Sequence, residues 1–103
     1  MQYQVIITPS AKADIFETNT WFLENYPNVA EKWLWGISQA VTSLSKFPER
    51  CATSPESEAF DVIVRQLIYC KKPHTYRILF SVQGEKVYIL RVRSTKQRNI
   101  SDE

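Results

Sequence analysis

The sequence predicts an α+β fold: a small, mainly antiparallel β-sheet with an N-terminal helical hairpin on one face, in the order β-α-α-β-β-β. Three observations predict it. Two stretches with apolar residues at 3.6-residue spacing, bounded by prolines, follow a short alternating strand. The stretch "YRILFSVQGEKVYILRVRS", residues 76–94, has two runs alternating with period two around a Gly-containing turn, the pattern of a β-hairpin. A lone hairpin is marginal in water, so the sheet requires the helices against one of its faces. At 103 residues the chain has room for one modest core, and a single domain is expected over 1–103.

In "QYQVII", Tyr3, Val5 and Ile7 alternate with polar residues, which predicts a first strand with one buried face. Thr8 and Pro9 then supply a helix N-cap and a proline at the first helical position, where its missing N–H costs nothing. Ala11, Ile15, Thr18, Phe22 and Tyr26 form the inner stripe of that helix, which Pro27 stops. Asn28 with Glu31 three residues on resembles a capping box for a second helix, whose inner stripe is Ala30, Leu34, Ile37, Val41 and Leu44 and which Pro48 closes. Trp33 flanks this stripe and is expected in the core. Trp35 points almost opposite, which makes it a candidate interface anchor. Phe16 and Leu23 lie off the main stripe of the first helix, and packing between the two helices would account for them.

"PERCATSPESEAF" has the composition of a surface loop, "DVIVRQLIY" reads as a second strand, and "CKKPH" as a basic loop before the hairpin. Strand alternation then assigns faces. Tyr76, Ile78, Phe80 and Val82, joined by Leu90 and Val92, are expected against the helices; Arg77, Leu79, Ser81, Ile89, Arg91 and Arg93 are expected on the opposite face. Arginines can thus stand inside strands without being buried unpaired.

The overall charge of +2 conceals an asymmetry. Residues 1–64 carry four basic and eight acidic side chains, whereas residues 65–98 carry nine basic and one acidic. A basic C-terminal third suggests a polyanionic partner such as nucleic acid or an acidic peptide. No apolar run approaches the ~20 residues of a membrane helix. Two cysteines, Cys51 and Cys70, lack metal-ligand spacing, and with no leader pattern they fit a reducing cytoplasm. Neither a metal nor another cofactor is expected, and the expected location is cytoplasmic.

Taken in order, "TPSAKADI", "FPERCATSPESEAFDVIVRQLIY" and "YRILFSVQGEKVYILRVRS" resemble the first-helix opening, middle segment and closing hairpin of the RelE/ParE superfamily, toxins of bacterial type II toxin-antitoxin, or plasmid stabilisation, modules. The resemblance covers nearly the whole chain. It implies a small curved sheet with two helices on one face, a growth-inhibiting activity, and a cognate antitoxin that wraps around the toxin. RelE-like members cut ribosome-bound mRNA, and ParE-like members poison DNA gyrase.

Metal-independent RNA cleavage requires an activated 2′-OH, a neutralised phosphate and a proton for the leaving oxygen. Arg65 and Arg77 match arginines of the family's strands and are the candidates for holding phosphate or target, unless Arg77 is a structural arginine bonded to backbone or to Glu85. Lys71 and Lys72 in the basic loop, with Arg91, Arg93, Lys96 and Arg98 along the C-terminal edge, are candidate target or antitoxin contacts. Proton-transfer groups are sparse. Ser94 stands where many relatives have His after "RVR", no C-terminal Tyr follows Arg98, and the single histidine, His74, reads as an exposed loop residue. This balance favours a ParE-like gyrase poison; the alternatives are a RelE-like endoribonuclease or a non-toxic binding module.

Overall fold

The computed structural model describes residues 2–71 and 74–95. The expected order is observed: β1 (Gln4–Ile7), α1 (Pro9–Asn25), α2 (Pro27–Ser43), β2 (Arg65–Lys71), β3 (His74–Gln83) and β4 (Lys86–Ser94). The sheet is mixed, in the order β1-β4-β3-β2, with β1 parallel to β4 and the other neighbours antiparallel. Both helices pack on one face. Phe22 of α1, Trp33 of α2 and Tyr76 of β3 form an aromatic centre with ring centroids 5.4–6.4 Å apart. Ile37, Ile78, Phe80, Val87 and Ile89 continue the core around it.

Local chemistry sets the element ends. The Thr8 hydroxyl accepts from the Ala11 N–H at 3.3 Å, capping α1, and donates to the Ile89 carbonyl at 2.7 Å, which ties the cap to β4. Pro27 stops α1 and also opens α2, so one residue, Tyr26, serves as the cap of both helices. The expected Asn28–Glu31 capping box does not form, because Pro27 takes the first helical position and puts Asn28 inside the first turn. Tyr26, expected in the inner stripe, is a non-helical linker and largely exposed.

The inner stripe of α2 runs through Ala30, Trp33, Ile37, Val41 and Leu44. Leu34, expected inside, is displaced to the surface by the larger Trp33, which fills the space between Phe22 and Tyr76. Phe16 and Leu23 are not covered by helix packing either; Phe16 is 72% exposed.

A β-bulge corrects the face assignment in β4. Phe80 pairs with Ile89 and Leu79 with Arg91, which leaves Leu90 as the extra residue. The alternation therefore shifts by one: Ile89, expected on the far face, is in the core, and Leu90 is not. Val92 is on the helix face as expected, and Arg77 and Arg93 are Cα partners on the far face. The second strand also starts later than expected, at Arg65, and continues through Lys71; His74 opens β3, so Lys71 and His74 are strand residues rather than loop residues.

Candidate functional site

Three of the described strand arginines, Arg65, Arg77 and Arg91, are engaged by acceptors of the chain itself. Arg65 Nη1 donates to the Cys51 carbonyl at 2.8 Å. That contact belongs to the junction where Thr53 bridges Arg65 and the Gln66 N–H reaches the Ala52 carbonyl, so the segment after α2 is fastened to the outer edge of β2. Arg65, Glu49, Ile63, Val82 and Gly84 line a hollow of about 230 Å³ beside it.

Arg77 forms an ion pair with Glu56, while its Nε donates to Gln66 Oε1 at 3.1 Å. The Arg77 and Glu56 side chains are 12% and 1% exposed, so the pair is almost wholly removed from water. The carboxylate partner is thus Glu56, from the short turn Pro55–Ala59, rather than the Glu85 considered from sequence. Ser54 also donates to Glu56. Burial pushes the Glu56 carboxyl up, but hydrogen bonds from Arg77 and Ser54 and the Arg77 charge outweigh it and hold its pKa below the ordinary carboxylate value.

Arg91 reaches round the open edge of β4 to α1. Its Nε lies 2.8 Å from Asp14 Oδ2 and its Nη2 3.1 Å from Oδ1, a bidentate pair. Asp14 Oδ2 also accepts the Val92 N–H at 2.9 Å. The hydrogen bonding that Arg91 donates to Asp14 is the main reason the Arg91 pKa is raised. Arg93 is buried, and burial, followed by the neighbouring Arg91 charge, lowers its pKa. Lys71 ends β2. Its side chain, that of His74, and Lys72, Lys96 and Arg98 entirely, lie outside the described residues. Among the described residues, no group of three His, Cys, Asp or Glu side chains is placed to hold a metal ion.

The helical side presents a second surface. Trp35 is 67% exposed, as its position on α2 predicts. Ile7, Lys12, Ile15, Phe16, Leu34 and neighbouring polar side chains line a largely apolar groove of about 330 Å³ between α1 and α2. Sequence reasoning missed this groove because it assigned Leu34 to the core and Phe16 to contacts between the helices. Their placement one position off the buried stripes was the available signal.

The chain thus combines a basic sheet whose Arg65, Arg77 and Arg91 are held by its own acceptors with a helical hairpin that carries an open apolar groove. Residues 5–99 match the model of the ParE toxin of type II toxin-antitoxin systems (parDE), and the chain belongs to this family. The structure is similar to a chain of the chromosomal ParDE toxin-antitoxin system from P. aeruginosa, with 22% identity, a TM-score of 0.71, and 92% of this chain and 98% of that one covered. It is also similar to a chain of the RelBE2 toxin-antitoxin complex from Mycobacterium tuberculosis, with 21% identity, a TM-score of 0.54, and coverage of 91% and 99%. No curated protein matches the sequence. Among the described residues, no helix is long and apolar enough to cross a membrane.

Proposed function

We propose that this toxin acts by binding, as a ParE-like poison of DNA gyrase, and not by cutting mRNA. The supporting observation is the internal engagement of the strand arginines: Arg65 on the Cys51 carbonyl, Arg77 on Glu56 and Arg91 on Asp14. A nuclease needs cations directed at the scissile phosphate beside a proton donor. Here the cations serve the fold, and Ser94 stands at the end of β4 in place of a histidine. Target contact falls to the C-terminal edge of the basic sheet, with Lys71, Lys72, Lys96 and Arg98 contributing charge. Inhibition of supercoiling with accumulation of cleaved gyrase–DNA complex is the expected result with purified toxin. Codon-phased mRNA cuts mapped by primer extension after induction, with supercoiling unaffected, would overturn the reading.

A cognate antitoxin is the second partner in this reading. Its apolar residues occupy the groove at Phe16 and Leu34, with Trp35 as a neighbouring anchor. Because Phe16 and Trp35 are mostly in water, replacing either with Ala is expected to change stability by no more than about 0.5 kcal/mol. Removal of an interface anchor, by contrast, costs about 2 kcal/mol or more. Titration calorimetry with the antitoxin checks this: unchanged affinity in both variants would remove the groove and Trp35 from the interface.

A further inference from the structure

Among the described residues, Phe47 is the one residue other than glycine with a positive φ, at 49°. Its ψ of 53° completes a left-handed conformation, in which Cβ crowds the following carbonyl oxygen. Pro48 follows, and a proline biases the residue before it towards extended backbone. A glycine would take this conformation freely. The chain instead places a phenylalanine here and leaves most of it in water: Phe47 is 73% exposed, whereas Pro48 is buried.

The conformation is held by several bonds. Arg50 Nη1 donates to the Lys46 carbonyl at 2.6 Å and to the Phe47 carbonyl at 3.0 Å, and its Nη2 donates to Ser43 Oγ at 3.3 Å. The Arg50 N–H also reaches the Phe47 carbonyl, at 3.1 Å, and Gln2 forms a β-bridge with Lys46. Phe47 is therefore a fixed projection, and little backbone freedom remains to be lost when its ring is covered.

A receptor for such a ring lies close by. Glu49, two residues further on and so within about 7 Å along the chain, lines the hollow of about 230 Å³ with Ile63, Arg65, Val82 and Gly84. Phe47 itself is not one of its lining residues. A cavity of about 150 Å³ accommodates benzene, so the hollow has room for a phenyl ring. Ile63 and Val82 supply apolar contact, and the Arg65 guanidinium, steadied by the Cys51 carbonyl, supplies a flat cation for the face of the ring.

Charge completes the match. Lys46, beside Phe47, is exposed and basic; Glu49 and Asp61, the latter two residues before Ile63, are exposed and acidic. Among the described residues none of the three forms an ion pair within the chain. A ring with a cation beside it, and a hollow with carboxylates beside it, close together on one molecule, suit a self-complementary contact between identical chains.

We propose that this surface joins two copies of the toxin about a two-fold axis, with Phe47 of each copy seated in the hollow between Ile63 and Arg65 of the other. The strained backbone then holds the anchor in place before the copies meet. The surface shares no residue with the groove at Phe16 or with the C-terminal edge, so the inference goes beyond the binding of antitoxin and target.

Sedimentation equilibrium of the purified full-length toxin, free of antitoxin, tests this. The wild type is expected to pass from monomer to dimer with concentration and to form nothing larger. Phe47→Gly is expected to raise the dimer Kd about 30-fold, the worth of an interface anchor. Thermal unfolding of the same variant as dilute monomer is expected to show no loss of stability, because glycine accepts the backbone. A ring that served only the fold would give the opposite pair, unchanged association and a lower melting temperature. Ile63→Arg blocks the hollow from an exposed position and is expected to weaken the dimer similarly, which keeps the test decisive if Phe47→Gly does not fold. An equimolar mixture of the two variants retains one ring facing one open hollow, and is expected to associate more tightly than either variant alone. A wild type that stays monomeric up to about 1 mM, assemblies larger than a dimer, or a dimer indifferent to both substitutions would overturn the proposal. So would a monomeric wild type whose antitoxin affinity falls in Phe47→Gly, which would give the surface to the antitoxin.

Discussion

Gly36 has no side chain because Tyr69 stands where one would be. A Cβ built on Gly36 would lie 1.9 Å from the Tyr69 hydroxyl oxygen and 2.7 Å from its Cζ, so α2 can approach β2 only with glycine there. Gly36→Ala would gain about 1 kcal/mol in helix propensity. Overpacking in a close contact costs about 1–3 kcal/mol, and the ring as well as the hydroxyl must move. The expected net result is a lower melting temperature, partly recovered by Tyr69→Phe, which removes the nearest atom; thermal unfolding of the single and double variants checks this. At the same scale, the sequence identifies Arg77 as unusual but cannot select its partner. Glu85 is nearer along the chain, whereas Glu56 is brought to Arg77 across 21 residues by the fastening of residues 52–54 to the β2 edge. Arg77→Ala would orphan a carboxylate that is almost wholly buried, and a loss of about 3–5 kcal/mol is expected. Replacing both residues with apolar ones is expected to cost much less, a difference that urea denaturation of the two variants measures. Loss of toxicity in Arg77→Ala is therefore informative about function only where the fold is shown to survive.

At the scale of the element, the helices and strands were legible, but the faces of Ile89 and Leu90 in the last strand were not. Thr8, Pro9 and Pro27 act through local chemistry, capping and a missing N–H, and their effects appear at the expected positions. The bulge at Leu90 leaves no mark in the local pattern, since "VYILRV" alternates acceptably in either register. Tertiary bonds accompany it: the Thr8 hydroxyl and N–H both reach the Ile89 carbonyl, and Asp14 takes up the Val92 N–H that β1 is too short to pair. Asp14 thus substitutes for a missing strand at the β4 edge. Asp14→Ala removes the Arg91 partner and leaves that N–H without its acceptor, and a loss of about 2–3 kcal/mol is expected, larger than for a surface pair. Hydrogen exchange should locate the loss: the Val92 amide is expected to lose more protection than amides of β2, and equal protection across the sheet would argue against the edge role.

For the whole molecule, the uneven charge distribution converts into a dependence on pH. The acidic first two thirds supply Glu56 and Asp14, and the basic last third supplies Arg77 and Arg91, so the two halves of the chain are paired in space. Because the folded Glu56 pKa lies below its ordinary value of 4.5, its contribution to stability is fully present above that value and is lost as pH falls through the lower, folded value. Thermal unfolding from neutral pH to about pH 3 should therefore show an acid loss that is smaller in Glu56→Gln, with a lower plateau near neutrality. An identical acid profile in the variant would mean that other carboxylates carry the dependence.

By itself the sequence determined what is local: which segments are helix or strand, where prolines end them, which strand residues alternate, and that the basic side chains gather in the last third. Those features depend on neighbours within a turn or a pleat, and together with the ordered segments they were sufficient for the fold class and the family. Tertiary structure alone decided the partners. It assigned Trp33 over Leu34 to the core, inserted the bulge that exchanged Ile89 for Leu90, and opened the groove at Phe16. It also placed Glu56 rather than Glu85 on Arg77. These are choices between residues of similar local preference, separated only by volume, desolvation and hydrogen-bond geometry once distant segments meet.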